Sequence, residues 1–205
     1  RPKVLLLDEP LGALDKQLRE QMQVELLRIQ REVGITTIFV THDQEEAMTL
    51  CDRIAIMNLG AIVQVGAPLE VYEHPINRFA AGFLGVANFL EGRVAGIGGG
   101  EARIDLALGG QAVAGADGMK AGDPVVIAVR PEKISVDAGN GAAGPNQLSG
   151  AVTGAVFSGS STTYRVEVGT QTLAVFQQNS TPRRFQAGDR VTLHWSPEPN
   201  VLVAP

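Results

Sequence analysis

The hydrophobic pattern of the first 85 residues alternates between short apolar runs and longer amphipathic segments. Residues 4–7 are an apolar run that ends at two acids, Asp8 and Glu9, which is typical of a buried strand with polar surroundings at its carboxyl end. Residues 16–33 carry apolar side chains at roughly helical spacing and charges on the other face, so they predict an amphipathic helix. Residues 35–41 are rich in β-branched side chains and predict the next strand.

Boundary residues support this alternation. Asp15 can cap the first helix, and Gly34 can end it. Asp43 and Glu46 have the spacing of a capping box, and Pro68 is placed to open a later helix. The remaining predicted elements are a helix over 43–50, strands over 53–58 and 61–65 with a turn at Leu59-Gly60, and helices over 69–73 and 77–84. This order predicts an α/β fold with a mostly parallel sheet and helical cover.

The texture of the chain changes near residue 85, so we expect two domains, 1–85 and 86–205. The second part holds 18 of the 24 glycines. Short β-type runs lie between turn residues, which predicts an all-β barrel or sandwich. These runs are 125–129, 154–157, 164–168, 172–176 and 191–195. Gly98-Gly99-Gly100 lacks a following Lys-Ser/Thr and predicts a hairpin or linker, whereas residues 137–147 predict a flexible loop.

Composition limits the classes of function that fit. A net charge of −5 argues against a nucleic-acid-binding face, which is normally basic. Cys51 is the one cysteine, so no intrachain disulfide can form, which is compatible with the cytosol. No apolar stretch approaches the length of a membrane span, which is about 18 residues or more. Any membrane association would therefore come through partner subunits.

Asp8 and Glu9 are the strongest candidates for catalytic chemistry. Adjacent carboxylates at the carboxyl end of a strand suit phosphoryl transfer, in which one holds Mg²⁺ and the other orients an attacking water. From this stretch alone, a strand that simply meets solvent at Asp-Glu-Pro is an equally good interpretation.

The order of the neighbouring motifs separates these readings. Residues 5–10 (Leu-Leu-Leu-Asp-Glu-Pro) resemble a Walker B strand with its catalytic glutamate, residues 12–15 (Gly-Ala-Leu-Asp) resemble a D-loop, and His42 resembles the switch histidine. The chain thus resembles the ATP-binding subunit of an ABC transporter, with a partial RecA-like P-loop NTPase sheet. The resemblance implies ATP and Mg²⁺ as cofactors, with Asp8 serving Mg²⁺, Glu9 activating water and His42 contacting the γ-phosphate. It also places Asp15 at the contact between two such subunits.

Other motifs of that family are not found in these 205 residues. Nothing matches G-x-x-x-x-G-K-[ST], the loop that cradles phosphates, and no Leu-Ser-Gly-Gly-Gln signature occurs. In the family these lie upstream of the Walker B strand. We therefore expect the C-terminal portion of a longer protein, and no ATPase activity from these residues alone.

The second part resembles the transport-associated OB (TOBE) module of bacterial importers. The resemblance rests on residues 87–92, on Arg130-Pro131-Glu132 with the strand before it, and on residues 159–168. It implies a homodimer, transmembrane permease subunits, a solute-binding protein as an indirect partner, and a place at the cytoplasmic face of the inner membrane. Residues 72–75 and 88–92 favour a polyamine-type cargo, while iron, sugar and phosphonate remain alternatives.

Two other classes of function stay open at this stage. The chain could be a non-catalytic regulatory or dimerisation module, or an OB protein that binds single-stranded nucleic acid, although aromatic residues are only 5% of the sequence. His74, His194 and Cys51 lack a catalytic or metal-binding context and are interpreted as structural.

Overall fold

The computed structural model describes residues 2–116, 118–139, 144–179, 184–198 and 200–203. The chain divides into two compact units, residues 1–74 and 75–205. The expected domain boundary after residue 85 lies beyond this division. Helix α4 (Arg78–Phe83) groups with the second unit, where Ala81 joins an apolar cluster with Ala128 and Val203.

The first unit begins with a β-α-β arrangement. Strand β1 (Val4–Asp8) and strand β2 (Thr36–Val40) pair in parallel, and helix α1 (Lys16–Val33) connects them. The unit continues with α2 (Gln44–Leu50), β3 (Ile54–Asn58), β4 (Ala61–Gly66) and α3 (Pro68–Glu73). These are the elements that the hydrophobic pattern predicts, in the predicted order.

The predicted boundary residues act as caps. The Asp15 carboxylate accepts a hydrogen bond from the Leu18 amide at 3.0 Å, and Gly34 ends α1 in the left-handed conformation with φ of 64°. The Asp43 carboxylate accepts from the amides of Glu45 and Glu46 at 2.9 and 3.3 Å. Local capping therefore fixes both helices that flank β2.

Two expectations for the first unit were wrong. The sheet is not mostly parallel, because β3 and β4 form a separate antiparallel pair around the two-residue turn at Leu59-Gly60, and so short a turn permits only a hairpin. Strand β1 is also not buried: among the described residues β2 is the one strand that pairs with it, and Leu6 is 70% exposed.

In the second unit, the described residues form α4, one short 3₁₀ turn and ten strands. The strands are β5 (Asn88–Gly98), β6 (Glu101–Leu106), β7 (Gln111–Gly115), β8 (Pro124–Val129), β9 (Ser135–Ala138), β10 (Asn146–Phe157), β11 (Ser161–Val168), β12 (Gln171–Gln178), β13 (Arg190–Trp195) and β14 (Val201–Val203). They form two five-stranded antiparallel sheets, β14-β8-β5-β6-β7 and β12-β11-β10-β13-β9. One continuous apolar core draws residues from both sheets, among them Leu90, Ile127, Tyr164 and Trp195. The all-β prediction for this part is therefore confirmed.

The sequence pattern found some of these strands and missed others. The hairpin predicted at the glycines is present, because Gly98 ends β5 and β6 begins at Glu101. The loop predicted over residues 137–147 was too long, because Asp137 belongs to β9 and β10 begins at Asn146. Backbone pairing with β13 extends both strands. Residues 140–143 of that predicted loop lie outside the described part of the chain.

The second unit contains an internal repeat that the hydrophobic pattern did not reveal. Strands β5 and β10 both read Asn-x-Leu-x-Gly-x-Val-x-Gly, starting at Asn88 and Asn146, and both carry a bulge between the Val and the last Gly. Strands β5–β9 and β10–β14 are thus equivalent halves. Their fifth strands are exchanged, since β9 joins the sheet of the second half and β14 that of the first.

The repeated asparagines join the two halves. The Asn88 amide pairs with the backbone of Ala174 in β12, with both contacts at 2.8 Å. Asn146 pairs in the same way with Val113 in β7, donating to its carbonyl at 3.2 Å and accepting from its amide. Both side chains are buried. In each half, one asparagine side-chain amide therefore pairs with a backbone N–H and C=O on an edge strand of the other half.

Candidate functional site

The candidate site lies at the carboxyl ends of β1 and β2. Asp8 ends β1 opposite Val40, the last residue of β2, and the Glu9 amide donates to the Val40 carbonyl at 2.8 Å. His42 follows β2 by two residues. Because parallel strands end at the same edge of a sheet, this pairing brings the Glu9 and His42 segments together.

Glu9 has an unusual backbone conformation. Its φ is +43°, in the left-handed region that residues other than glycine seldom occupy. The Gly12 amide donates to the Glu9 carbonyl at 3.2 Å, which closes the turn. This turn takes the Glu9 side chain out of the alternation of β1. Strained positions of this kind cluster at functional sites, so the geometry supports a role for this carboxylate beyond solubility.

Glu9 and His42 contact each other directly. The Glu9 Oε1 atom lies 2.9 Å from His42 Nδ1, and both side chains are exposed. The hydrogen bond from Glu9, followed by the charges of Glu9, Asp43 and Glu46, raises the pKa of His42 above its ordinary value. The two residues that the sequence singled out for catalysis are therefore a hydrogen-bonded pair.

We expect the pKa of His42, measured by NMR titration, to exceed the ordinary histidine value of about 6.5. Glu9→Gln should lower it, because the substitution removes the negative charge and keeps the shape. Since folding raises this pKa, the pair stabilises the fold below the ordinary pKa and loses that contribution as the pH rises through the raised pKa. A measured His42 pKa at or below the ordinary value of about 6.5 would contradict this expectation.

Asp8 and Asp15 take different positions. Asp8 is exposed at the end of β1, next to Glu9 in sequence. Asp15 is also exposed, and its carboxylate caps α1. The structure thus brings the Glu9 and His42 side chains together, with Asp8 next to Glu9 in the chain. Asp15 lies at the far end of the loop that joins β1 to α1, where it caps the helix.

Three residues near the site were missed as functional candidates. Arg19 in α1 lies 3.1 Å from the Asp43 carboxylate, and Thr41 donates to the buried Glu46 carboxylate at 2.7 Å. In the sequence, Arg19 is one charge among several on the polar face of α1. The spacing of Asp43 and Glu46 predicted a helix start. It did not indicate that Glu46 is buried beside Arg19.

The carboxylates at this site suit a binding mode in which Mg²⁺ takes few ligands from the protein. No group of three or more His, Cys, Asp or Glu side chains that could hold a metal occurs in the described part of the chain. However, Mg²⁺ is usually bound by one or two carboxylates together with waters and substrate phosphates. The exposed Asp8 carboxylate suits that mode, in which the protein supplies few ligands.

The remaining sequence candidates have structural contacts. His194 Nε2 lies 2.7 Å from the Asp137 carboxylate, in a groove of about 430 Å³ that Phe176 also lines. Arg130 is buried and donates to the carbonyls of Ala81 and Val86 at 2.8 and 3.3 Å, so it holds the end of α4. Cys51 is half-buried, and burial raises its pKa.

Comparison with known proteins supports the resemblance. Residues 127–203 match the family described as TOBE domain. The spermidine/putrescine import ATP-binding proteins of Thermobifida fusca and Rubrobacter xylanophilus are 47% and 48% identical to this chain, over 97% and 95% of it and 52% of each relative. That of Nitrosomonas europaea is 44% identical over 97% of this chain and 56% of the relative. The chain spans about half the length of the curated relatives it matches.

A solved structure is similar in fold to part of this chain. The cytoplasmic molybdate-binding protein ModG, with molybdate bound, aligns with a TM-score of 0.52 and 17% identity over 58% of this chain and 96% of its own. At that identity the likeness shows the fold alone. Together, these matches show that nearly all of this chain is similar to proteins named as spermidine/putrescine import ATP-binding proteins, and that residues 127–203 match the TOBE domain.

Proposed function

We propose that this chain, as a relative of the ATP-binding subunits of polyamine-type ABC importers, is the C-terminal part of a subunit that hydrolyses ATP to drive polyamine uptake. The observation that carries the proposal is the Glu9–His42 pair, with 2.9 Å between Oε1 and Nδ1, next to Asp8 at the ends of two parallel strands. The sequence of the whole chain agrees with this assignment, because relatives named for spermidine/putrescine import align with nearly all of it.

Each residue of the site has a separate chemical task in this proposal. Glu9 accepts the proton of the attacking water through its carboxylate, which is a general base. His42 donates to Glu9 through Nδ1, and its raised pKa favours a proton on Nε2 as well, which can be donated to a γ-phosphate oxygen. Asp8 would hold Mg²⁺, which when bound neutralises charge on the phosphates. Positioning and electrostatics account for most of such catalysis.

The complete enzyme would comprise more than these residues. No phosphate-cradling G-x-x-x-x-G-K-[ST] loop occurs in the sequence, so this chain supplies the metal-binding and water-activating side of a RecA-like site. The apolar side chains of Leu6, Ile38 and Val40 on β1 and β2 are all more than half exposed, which supports a sheet that further strands cover in the complete subunit. By this proposal the isolated chain does not turn over ATP.

The partners follow from the same family assignment. Two subunits would face each other, with the Asp15 loop at their contact, and would dock on transmembrane permease subunits at the cytoplasmic side of the membrane. No helix within the described ranges is both long and apolar enough to cross a membrane. A solute-binding protein would deliver the cargo, and residues 1–85 and 86–205 would be the nucleotide-binding and TOBE parts.

The complete subunit, reconstituted with its permease and binding protein in proteoliposomes, should import labelled spermidine or putrescine only when ATP is present. The matched control is the same vesicle with the Glu9→Gln subunit, which should bind ATP and import little. The isolated 205-residue chain should release no phosphate above background.

Competition distinguishes the alternative cargoes. Unlabelled polyamine should suppress the uptake, whereas ferric iron, maltose and a phosphonate should leave it unchanged. Uptake of one of those solutes instead would overturn the polyamine assignment but keep the ATPase. Phosphate release by the isolated chain would contradict the proposal that these residues supply only one side of the ATPase site. Absence of phosphate release from the complete subunit would contradict the proposed hydrolysis itself.

A further inference from the structure

Arg19 joins two segments of the candidate site through one guanidinium group. Its Nη2 atom donates to the Leu14 carbonyl at 3.0 Å, in the loop before α1. Its Nη1 atom donates to the Asp43 carboxylate at 3.1 Å, at the start of α2. A planar guanidinium has fixed donor directions, so it constrains the distance between the groups that it binds.

The α2 end of this contact is a cluster with a buried charge. Glu46 is 2% exposed, and its carboxylate accepts from Thr41 Oγ1 at 2.7 Å. The Arg19 Nε atom lies 3.8 Å from Glu46 Oε1 and is itself buried without a hydrogen-bond partner. Buried carboxylates are costly unless they are paired, and Arg19 is the cation beside this one.

This cluster holds the residues on both sides of His42. The Asp43 amide donates to Thr41 Oγ1 at 2.9 Å, so Thr41 and Asp43 are tied to each other and to Glu46. The His42 ring is 76% exposed, and its Nδ1 atom contacts Glu9. The position of the ring is therefore set by its backbone neighbours more than by packing around it.

We propose that Arg19 is a positioning residue for hydrolysis, which holds the loop ending at Asp15 and the segment carrying His42 at a fixed spacing and so maintains the Glu9–His42 geometry. Arg19 touches neither Glu9 nor His42, and it acts through Leu14 and Asp43. This inference rests on the proposed function of the site. Both segments it joins carry residues assigned there, which distinguishes Arg19 from Arg28 on the same helix, whose contacts are Glu25 and Glu32.

The test compares Arg19→Lys with Arg28→Lys in the complete subunit. Lysine keeps the charge but lacks the fork that reaches Leu14 and Asp43 together, so kcat for ATP hydrolysis should fall roughly 10- to 100-fold, as expected for a misplaced catalytic group. The KM for ATP should stay near wild type, and kcat should be counted per folded molecule. Arg28→Lys should change neither constant.

A second variant keeps the inference testable if Arg19→Lys folds poorly. Asp43→Asn retains a cap acceptor for α2 but replaces the oxygen that Arg19 binds, so it should lower kcat similarly, and the double variant should lose little more than either single one. Additive losses, or an unchanged kcat in Arg19→Lys, would show that Arg19 is a structural residue only.

One readout does not depend on ATP hydrolysis. With ¹³C-labelled histidine, the NMR signal of His42 should shift in Arg19→Lys and stay in place in Arg28→Lys. If the wild-type subunit proved inactive, the proposed function would fail while this comparison still decided the positioning role. An unmoved His42 signal would overturn the inference even in an active enzyme.

Discussion

Replacing Glu9 by Gln in the complete subunit should lower kcat for ATP hydrolysis by about 10²- to 10⁴-fold, the usual contribution of a positioned general base. Glutamine has nearly the same shape and can still contact His42, so the pair should remain assembled. It cannot take a proton from water. The Kd for ATP should therefore stay close to wild type, and the variant should accumulate with ATP bound.

Single-turnover phosphate release and ATP binding, measured on the same preparation, check this result. Glu45→Gln is the matched control: it neutralises an exposed glutamate at the start of α2 whose carboxylate has no role in the proposed site. Its kcat should match wild type. If Glu9→Gln kept substantial turnover, the general base would have to be another group, and the left-handed turn at Glu9 would need a different explanation.

The sequence predicted the elements that carry the candidate site better than it predicted the contacts between them. Local signals were sufficient for β1, α1 and β2, because caps at Asp15, Gly34 and Asp43 mark where the helices begin and end. The order of motifs placed Glu9 and His42 after neighbouring strands, and in the structure their side chains lie 2.9 Å apart. A motif cannot show that Arg19 spans two segments, since its partners, Leu14 and Asp43, depend on how α1 crosses to β2.

In the second unit too, the local sequence pattern missed strands that depend on distant pairing partners. The predicted β-type runs lie within β8, β10, β11, β12 and β13, whereas β5, β6, β7, β9 and β14 were not found as strands. Of these, β9 and β14 are short and are defined by pairing with β13 and β8. A window of sequence cannot contain that partner, because each strand joins the sheet of the opposite half. The Asn-x-Leu-x-Gly-x-Val-x-Gly repeat was the available signal, and its meaning depends on comparing distant segments.

The first glycine of that repeat, which is Gly92 in β5 and Gly150 in β10, is also structurally important. A Cβ atom added at Gly150 would lie 2.5 Å from the Glu167 carbonyl oxygen, and one added at Gly92 would lie 2.6 Å from that of Asp105. Both obstacles are backbone atoms of the neighbouring strand, so a side-chain rotation cannot relieve the clash. The strands pass close at this point in both halves, which explains why the same residue type recurs there.

Gly150→Ala should therefore destabilise the second unit by about 1–3 kcal/mol, the cost of overpacking a well-packed site. Gly92→Ala should give a similar loss, because the two positions are equivalent. Thermal unfolding followed by the fluorescence of Trp195 measures this directly, since Trp195 is the one tryptophan in the chain and is buried in β13 opposite Asn146. The Tm should fall by roughly 2–4 °C for each kcal/mol lost.

Gly154→Ala provides the control on the same strand. A Cβ atom there would meet no other atom within 4 Å, and the backbone is not left-handed. The lower entropy of the unfolded chain should then leave stability unchanged or raise it by up to about 1 kcal/mol. Equal losses at Gly150 and Gly154 would mean that alanine is unfavourable throughout this strand. A clear loss at Gly150 and Gly92 alone would identify the close strand approach as the shared constraint on both halves.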